Sequence, residues 1–233
     1  MHALHGASSL RAADEVAAWR GSLGRASLAA AEGRLVPLQP LQDAETPPDT
    51  IEEVIMRRGS ARSFARESIT FAQLSTILDH ATRGIPADFS DDPAAQLNDL
   101  YVIAHAVQGL APGAYYFRRP ERALECLKEG DFRDTAGYLG LEQELPADAS
   151  AAVFFLADLN PILERFGNRG YRAVQLEAGI LGGKLYLAAY AQRLGASGLT
   201  FYDDDVVAFF SPHAQGKSAI FLVALGRPAK RWR

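Results

Sequence analysis

Cysteine is almost missing from this chain: Cys126 is the single thiol in 233 residues. An intrachain disulfide is therefore excluded, and a reducing cytoplasm is the expected compartment. Histidine is sparse as well, with five residues scattered along the sequence, and no convincing metal site follows from them. His2 and His5 come nearest by spacing, but a frayed terminus is a poor place to hold an ion. No apolar run approaches the roughly 18 residues of a membrane span. Met1-His2-Ala3-Leu4-His5 lacks a basic region followed by an apolar core, so no secretory signal is expected. Basic charge is also in deficit. With a net charge of -4, a nucleic-acid partner has no electrostatic support.

What is present is the balance of a soluble globular protein, 48% hydrophobic and 22% charged, with enough chain for one sizeable core. The organisation reads as an N-terminal arm over residues 1–50 and a main domain over 51–233. Arg11 to Leu35 is Ala-rich and weakly helical, interrupted by Gly21, Gly24 and Gly33. Pro37, Pro40, Pro47 and Pro48 then mark an extended linker. The arm either wraps the core or reaches a partner. Thr70 with Gln73 forms a capping box that starts a helix through about Arg83, with Phe71, Leu74, Ile77 and Leu78 on one face. Ile85 to Leu97 reads as an irregular acidic surface loop.

Leu100 to Val107 and Ala114 to Phe117 read as two strands of a hairpin, with Pro112-Gly113 supplying a type II turn. Ala151 to Ala157 and Ser218 to Leu225 are near-continuous apolar runs of strand length, so both are expected to be central and buried. Between them the pattern predicts the longest helix, from about Tyr171 to Leu194, closed by Gly195 as its C′ residue. It is apolar nearly all round yet carries Gly179, Gly182 and Gly183, each costing about 1 kcal/mol relative to Ala. Close packing against a second copy of the same helix accounts for that cost; a helix in the middle of one large domain is the other reading.

Function concentrates in Arg57-Arg58-Gly59-Ser60-Ala61-Arg62-Ser63-Phe64. Gly59 is expected to break the preceding helix (Ile51 to Met56) and free the backbone N–H groups that follow. Guanidinium forks beside a hydroxyl suit a phosphate monoester. A basic helix C-terminus complementing the macrodipole is the alternative. Two other stretches imitate sites. Ser211-Pro212-His213-Ala214-Gln215-Gly216-Lys217-Ser218 looks like a phosphate loop, but a strand follows it, so Lys217 is expected to be a solvated turn residue. Asp203-Asp204-Asp205 is better explained as helix-capping and first-turn acids than as a metal cluster.

Four stretches together resemble the flavin-dependent nitroreductase superfamily, in particular its azoline-dehydrogenase-like (SagB-like) branch. They are Arg58-Gly59-Ser60-Ala61-Arg62-Ser63-Phe64, Gly109-Leu110-Ala111-Pro112-Gly113-Ala114-Tyr115-Tyr116, Phe166-Gly167-Asn168-Arg169-Gly170-Tyr171-Arg172 and Gly195-Ala196-Ser197-Gly198-Leu199-Thr200. The resemblance covers about Ile51 to Arg231. It implies an α+β fold, a central mostly antiparallel sheet wrapped by helices, and a homodimer holding FMN between subunits. Carried to matching positions, Arg58 and Ser60, flanking Gly59, would contact the FMN phosphate. Arg62 would face the N1/O2 edge of the ring, where a cation favours the reduced flavin. A backbone N–H of Gly198-Leu199 would meet flavin N5, and Lys230 and Arg231 would complete the phosphate site. Relatives carry a ring-touching loop where this chain reads Ser90 to Asn98, so Gln96 or Asn98 stand in for it. Azoline dehydrogenases tend to carry Lys-Tyr where this chain has Arg165-Phe166, and Phe offers no acid or base.

The resemblance leaves three functions open. One is an FMN oxidoreductase passing hydride from NADH or NADPH to a nitroaromatic or quinone. Another is an azoline or amino-acid dehydrogenase of a natural-product pathway. The last is a flavin- or partner-binding scaffold without turnover.

Overall fold

The computed structural model describes residues 2–20, 30–84, 87 and 96–229. In chain order the elements are α1 (His2–Ala7), α2 (Ala13–Trp19), β1 (Leu35–Pro37), α3 (Ile51–Arg57), β2 (Ile69–Thr70), α4 (Phe71–Ala81), β3 (Asp99–Ala104), β4 (Val107–Gln108) and β5 (Gly113–Arg118). They continue with β6 (Ala123–Glu129), α5 (Arg133–Leu139), α6 (Glu144–Asp148), β7 (Ala151–Ala157), α7 (Leu159–Phe166), α8 (Gly170–Ala191), β8 (Gly195–Leu199), α9 (Asp203–Phe210) and β9 (Ser218–Gly226).

Seven strands form one sheet in the order β1-β6-β5-β3-β7-β9-β8, and every pairing within it is antiparallel. The expected α+β architecture is the one found. Alternation along β3 shows why its central strands read as unbroken apolar runs. Leu100 and Val102 face a layer containing α4 and α8. Tyr101 and Ile103 face a layer containing α5 and α9. With helices on both faces, neither side of the strand from Leu100 to Ala104 meets water, so that stretch carries no charged residue.

Local signals explain several boundaries. The capping box before α4 is present: Gln73 N donates to Thr70 Oγ1 at 3.1 Å and Thr70 N to Gln73 Oε1 at 3.0 Å. A second one, with Thr50 and Glu53, starts α3. The arm docks on its own chain, with Trp19 Nε1 donating to the Phe166 carbonyl at 2.8 Å. Its last strand, β1, joins β6 at the sheet edge. Most of the expected acidic loop (85–86 and 88–95) lies outside the described residues.

Three local expectations need correction. The hairpin turns at Val107–Leu110, not at Pro112-Gly113: Leu110 N donates to Val107 O at 3.1 Å, and Gly109 takes the positive φ of 93°. Gly113 is already in β5, opposite Ala104, because Val107-Gln108 leaves the hairpin to pair with β2.

The long helix ends at Ala191, and its C′ residue is Arg193 (φ 60°) instead of Gly195. Leu194 N donates to Ala189 O at 2.9 Å and Arg193 N to Tyr190 O at 3.1 Å, the paired bonds of a Schellman cap. Gly195 is spent in β8, where a Cβ would lie 3.3 Å from Ala61 Cβ and 3.5 Å from Pro228 Cβ.

Lys217 is no solvated turn residue. Its ammonium pairs with Asp99 and sits 5.8 Å and 6.0 Å from the Tyr101 and Tyr116 ring centroids. The strand expected after it is β9, and Asp203, Asp204 and Asp205 occupy the first turn of α9 as expected.

Candidate functional site

The segment after α3 is stitched on two sides. Its last helical bond runs from Arg58 N to Val54 O at 2.9 Å, and Arg58 itself is extended (φ -63°, ψ 143°). The helix therefore stops at Arg57, two residues before Gly59, and Gly59 does not occupy the positive-φ region. Ala61 N then donates to Ala196 O on β8 at 2.9 Å. On the other side Ala65 N donates to Arg227 O at 2.9 Å and Ala229 N to Ser63 O at 3.1 Å, with an antiparallel bridge between Phe64 and Pro228. Ala61 and Phe64 are buried by these contacts. Arg58 and Arg62 are left at the surface.

The guanidinium groups of the three arginines are used differently. Arg57 donates to Asp49 Oδ2 at 2.7 Å and to Tyr190 O at 3.0 Å, so it anchors α3 to the end of α8. The guanidinium groups of Arg58 and Arg62 have no hydrogen-bond or ion-pair partner among the described residues. Two unpaired forks flanking a half-buried hydroxyl, Ser60, form a donor set suited to a phosphate or another compact anion.

Ser60 is also where the second half of the site begins. Its Oγ lies 3.3 Å from the Tyr186 hydroxyl, and that hydroxyl accepts the Gly198 N–H. Strand β8 is the sheet's edge, so alternate backbone groups face away from β9 and must find other partners. Ala61 takes the Ala196 carbonyl, and Tyr186 takes the Gly198 amide. Beneath them Phe221 is gripped by two glycines. A Cβ on Gly182 would lie 2.6 Å from its Cε1, and one on Gly198 would lie 2.9 Å from its Cζ. Gly182 is thus required inside one chain, whereas Gly179 and Gly183 face open space.

Of the residues selected from sequence, Arg58, Gly59, Ser60, Arg62, Gly198 and Leu199 are brought to this one corner. Leu199 pairs with Leu222 and packs beside Ala61 and Phe64. The chain is described as far as Ala229, which lies against Ser63; Lys230 and Arg231 are outside the described residues.

Gln96 and Asn98 are elsewhere. Gln96 Nε2 donates to Asp99 Oδ1 at 2.8 Å. Asn98 is fully buried, its Nδ2 donating to Val174 O at 3.0 Å and Glu177 Oε2 at 2.7 Å. Those partners precede Tyr186 on α8 by at least nine residues, about 14 Å along the helix.

Glu177 and Tyr186 carry no motif and were missed in the sequence. Glu177 Oε2 also accepts the Leu97 and Asn98 backbone N–H groups at 3.0 and 2.7 Å. Burial pushes its carboxyl above the ordinary carboxylate range, while the nearby Arg119 cation and the Asn98 donors pull the other way. A mid-helix Glu within an apolar pattern was the available signal. Among the described residues no group of His, Cys, Asp and Glu could hold a metal ion.

Comparison with known proteins identifies the family. The family model described as "Nitroreductase family" matches residues 55–227. A protein of Methanocaldococcus jannaschii assigned by name to the nitroreductases is 25% identical over 162 residues, which are 67% of this chain and 81% of that protein. A crystal structure from Anabaena variabilis, likewise assigned by name, superposes with a TM-score of 0.73 at 29% identity over 84% of this chain. This chain spans only 42% of that one's length.

The E. coli microcin synthetase McbBCD complex shares the fold, with a TM-score of 0.63 at 13% identity over 88% of this chain and 79% of its own. No helix of the described residues is long and apolar enough to cross a membrane. The chain belongs to the nitroreductase family, a family of flavin-dependent oxidoreductase enzymes.

Proposed function

We propose that the chain binds FMN at the corner formed by residues 58–62, β8 and the tail after β9, and passes hydride from NADH or NADPH to a small acceptor of the nitroaromatic or quinone type. The observation that carries this reading is the pair of guanidinium groups, Arg58 and Arg62, that have no partner among the described residues and bracket Ser60 beside the edge strand β8. When bound, FMN supplies the centre that accepts and donates hydride.

The chain's own residues bind and orient. Arg58 and the Ser60 hydroxyl would hold the phosphate, and Arg62 would supply positive charge that favours the reduced ring. Gly198, with no side chain, would permit close approach of the ring to the β8 backbone, where the Gly198 N–H is held by the Tyr186 hydroxyl.

A homodimer belongs to the same reading. α8 leaves Leu176, Gly179 and Gly183 exposed along one ridge, and Ile51, Ile55 and Met56 are exposed on α3 beside it. A second copy laid on this apolar surface covers both helices and closes the cofactor corner from outside.

Azoline oxidation is the weaker reading. The position that would need an acid or base holds Phe166, which is buried and lies 5.5 Å from the Trp19 ring. Purified protein should be yellow, and anaerobic titration with NADH and NADPH should bleach it. Each charge-assisted bond to phosphate contributes about 1.5–3 kcal/mol, so Arg58→Ala with Ser60→Ala should weaken FMN binding at least 100-fold. A colourless protein that takes up no added FMN removes the proposal. A flavoprotein that neither nicotinamide reduces leaves a scaffold without turnover.

A further inference from the structure

We infer that Tyr186 is a positioning residue of the cofactor site: one hydroxyl, shared between the Ser60 side chain and the Gly198 amide, sets the distance between the anion-binding segment and the edge strand β8. The inference rests on the reading that FMN occupies this corner.

A phenol has one donor and two acceptor lone pairs. Here the hydroxyl accepts from Gly198 N and lies 3.3 Å from Ser60 Oγ, where either oxygen can donate. The two groups it joins belong to segments 138 residues apart, and each carries a different end of the proposed site. Among the described residues the segment is fixed to β8 by one backbone hydrogen bond, from Ala61 N. The Tyr186 hydroxyl is the second point of attachment, and two points define an orientation where one leaves a pivot.

Tyr186 is itself held. It sits about one turn along α8 from Gly182, where Phe221 enters the helix surface, and the same Phe221 ring closes on Gly198. A Cβ at Gly198 would stand 3.5 Å from the Tyr186 hydroxyl. Helix, edge strand and ring therefore meet with no slack, and the hydroxyl cannot shift without moving one of them.

Tyr186→Phe keeps the ring and removes the hydroxyl. Tyr101→Phe serves as the comparison, because it deletes a phenol–His213 bond of 2.9 Å on the opposite face of the sheet. FMN dissociation constants would be measured on flavin-free protein by quenching of flavin fluorescence, together with melting temperatures. Hydrogen exchange at the Gly198 amide would be followed by NMR.

Tyr186→Phe should raise the dissociation constant about fivefold, the worth of one net hydrogen bond, and speed Gly198 exchange. Tyr101→Phe should lower the melting temperature while leaving both quantities unchanged. Wild-type affinity in Tyr186→Phe, or equal weakening in Tyr101→Phe, overturns the inference. Should the wild type itself bind no FMN, the functional reading fails on its own. The exchange measurement still decides, because unchanged protection at Gly198 refutes the contact.

Discussion

Replacing both Gly179 and Gly183 by Ala separates a lone chain from a paired one, because the two cases predict opposite signs. In a single chain a Cβ at either position meets nothing within 4 Å. The substitution then gains only helix propensity, about 1 kcal/mol per site and about 2 kcal/mol together. For a chain of this size that corresponds to a rise of roughly 4–8 °C in melting temperature.

If a second copy packs its backbone along the same ridge, the added methyl groups enter filled space, and overpacking costs about 1–3 kcal/mol per site. The dimer reading therefore predicts a dissociation constant raised at least tenfold. It also predicts a lowered melting temperature that depends on protein concentration. Sedimentation equilibrium and calorimetry across a hundredfold concentration range read both quantities. Gly182→Ala is the control: its clash with Phe221 is internal and should destabilise whatever the assembly. A double variant that melts several degrees higher and sediments like the wild type would refute the packing argument.

Gly198→Ala tests the cofactor corner without removing a charge. Its Cβ would press on Phe221 and crowd the Tyr186 hydroxyl, so flavin affinity should fall about tenfold with a stability loss of about 1–3 kcal/mol; unchanged titration curves would contradict it. His105 predicts a pH dependence. It is buried, its Nε2 donates to Pro146 O at 3.1 Å and its Nδ1 has no partner among the described residues, and burial pulls its pKa down from 6.5 to about 4. The unfolded chain then binds the proton first. Stability is complete above pH 6.5, falls between 6.5 and about 4, and loses about 3 kcal/mol in all. Urea midpoints for His105→Gln should fall less steeply across that window, and parallel slopes would sink the argument.

The sheet was legible because β7 and β9 are covered on both faces, which leaves nothing polar to interrupt their runs. The start of α4 was legible because Thr70 and Gln73 satisfy orphan backbone donors with side chains at fixed spacing. Boundaries failed where a glycine signal had two plausible uses. Gly113 and Gly195 looked like turn and cap residues, but each is needed within a strand, and the positive φ passed to Gly109 and to Arg193. Arg193 takes that conformation as the C′ residue of the cap, and its side chain lies 2.7 Å from Asp49, a contact that no local rule contains. Lys217 was misread for the same reason, since Asp99 approaches it only once β3 and β9 lie in one sheet.

The candidate site divides along a similar line. Arg58, Ser60 and Arg62 could be found because their chemistry is in their side chains and their spacing is local. Tyr186 and the edge of β8 could not, because what matters there is a backbone amide and the hydroxyl that happens to reach it. Gln96 and Asn98 were offered for the ring, yet one chain holds Asn98 against the first half of α8 and Ser60 against its second half. An antiparallel two-fold crossing at Gly179 and Gly183 reverses that separation, since it sets the first half of one copy's helix beside the second half of the other's. Under that crossing the Asn98–Glu177 region of one subunit approaches the Tyr186 corner of its neighbour. Oligomeric state and completeness of the site then become one question, and a monomer would have to bind its flavin without any group from residues 96–98.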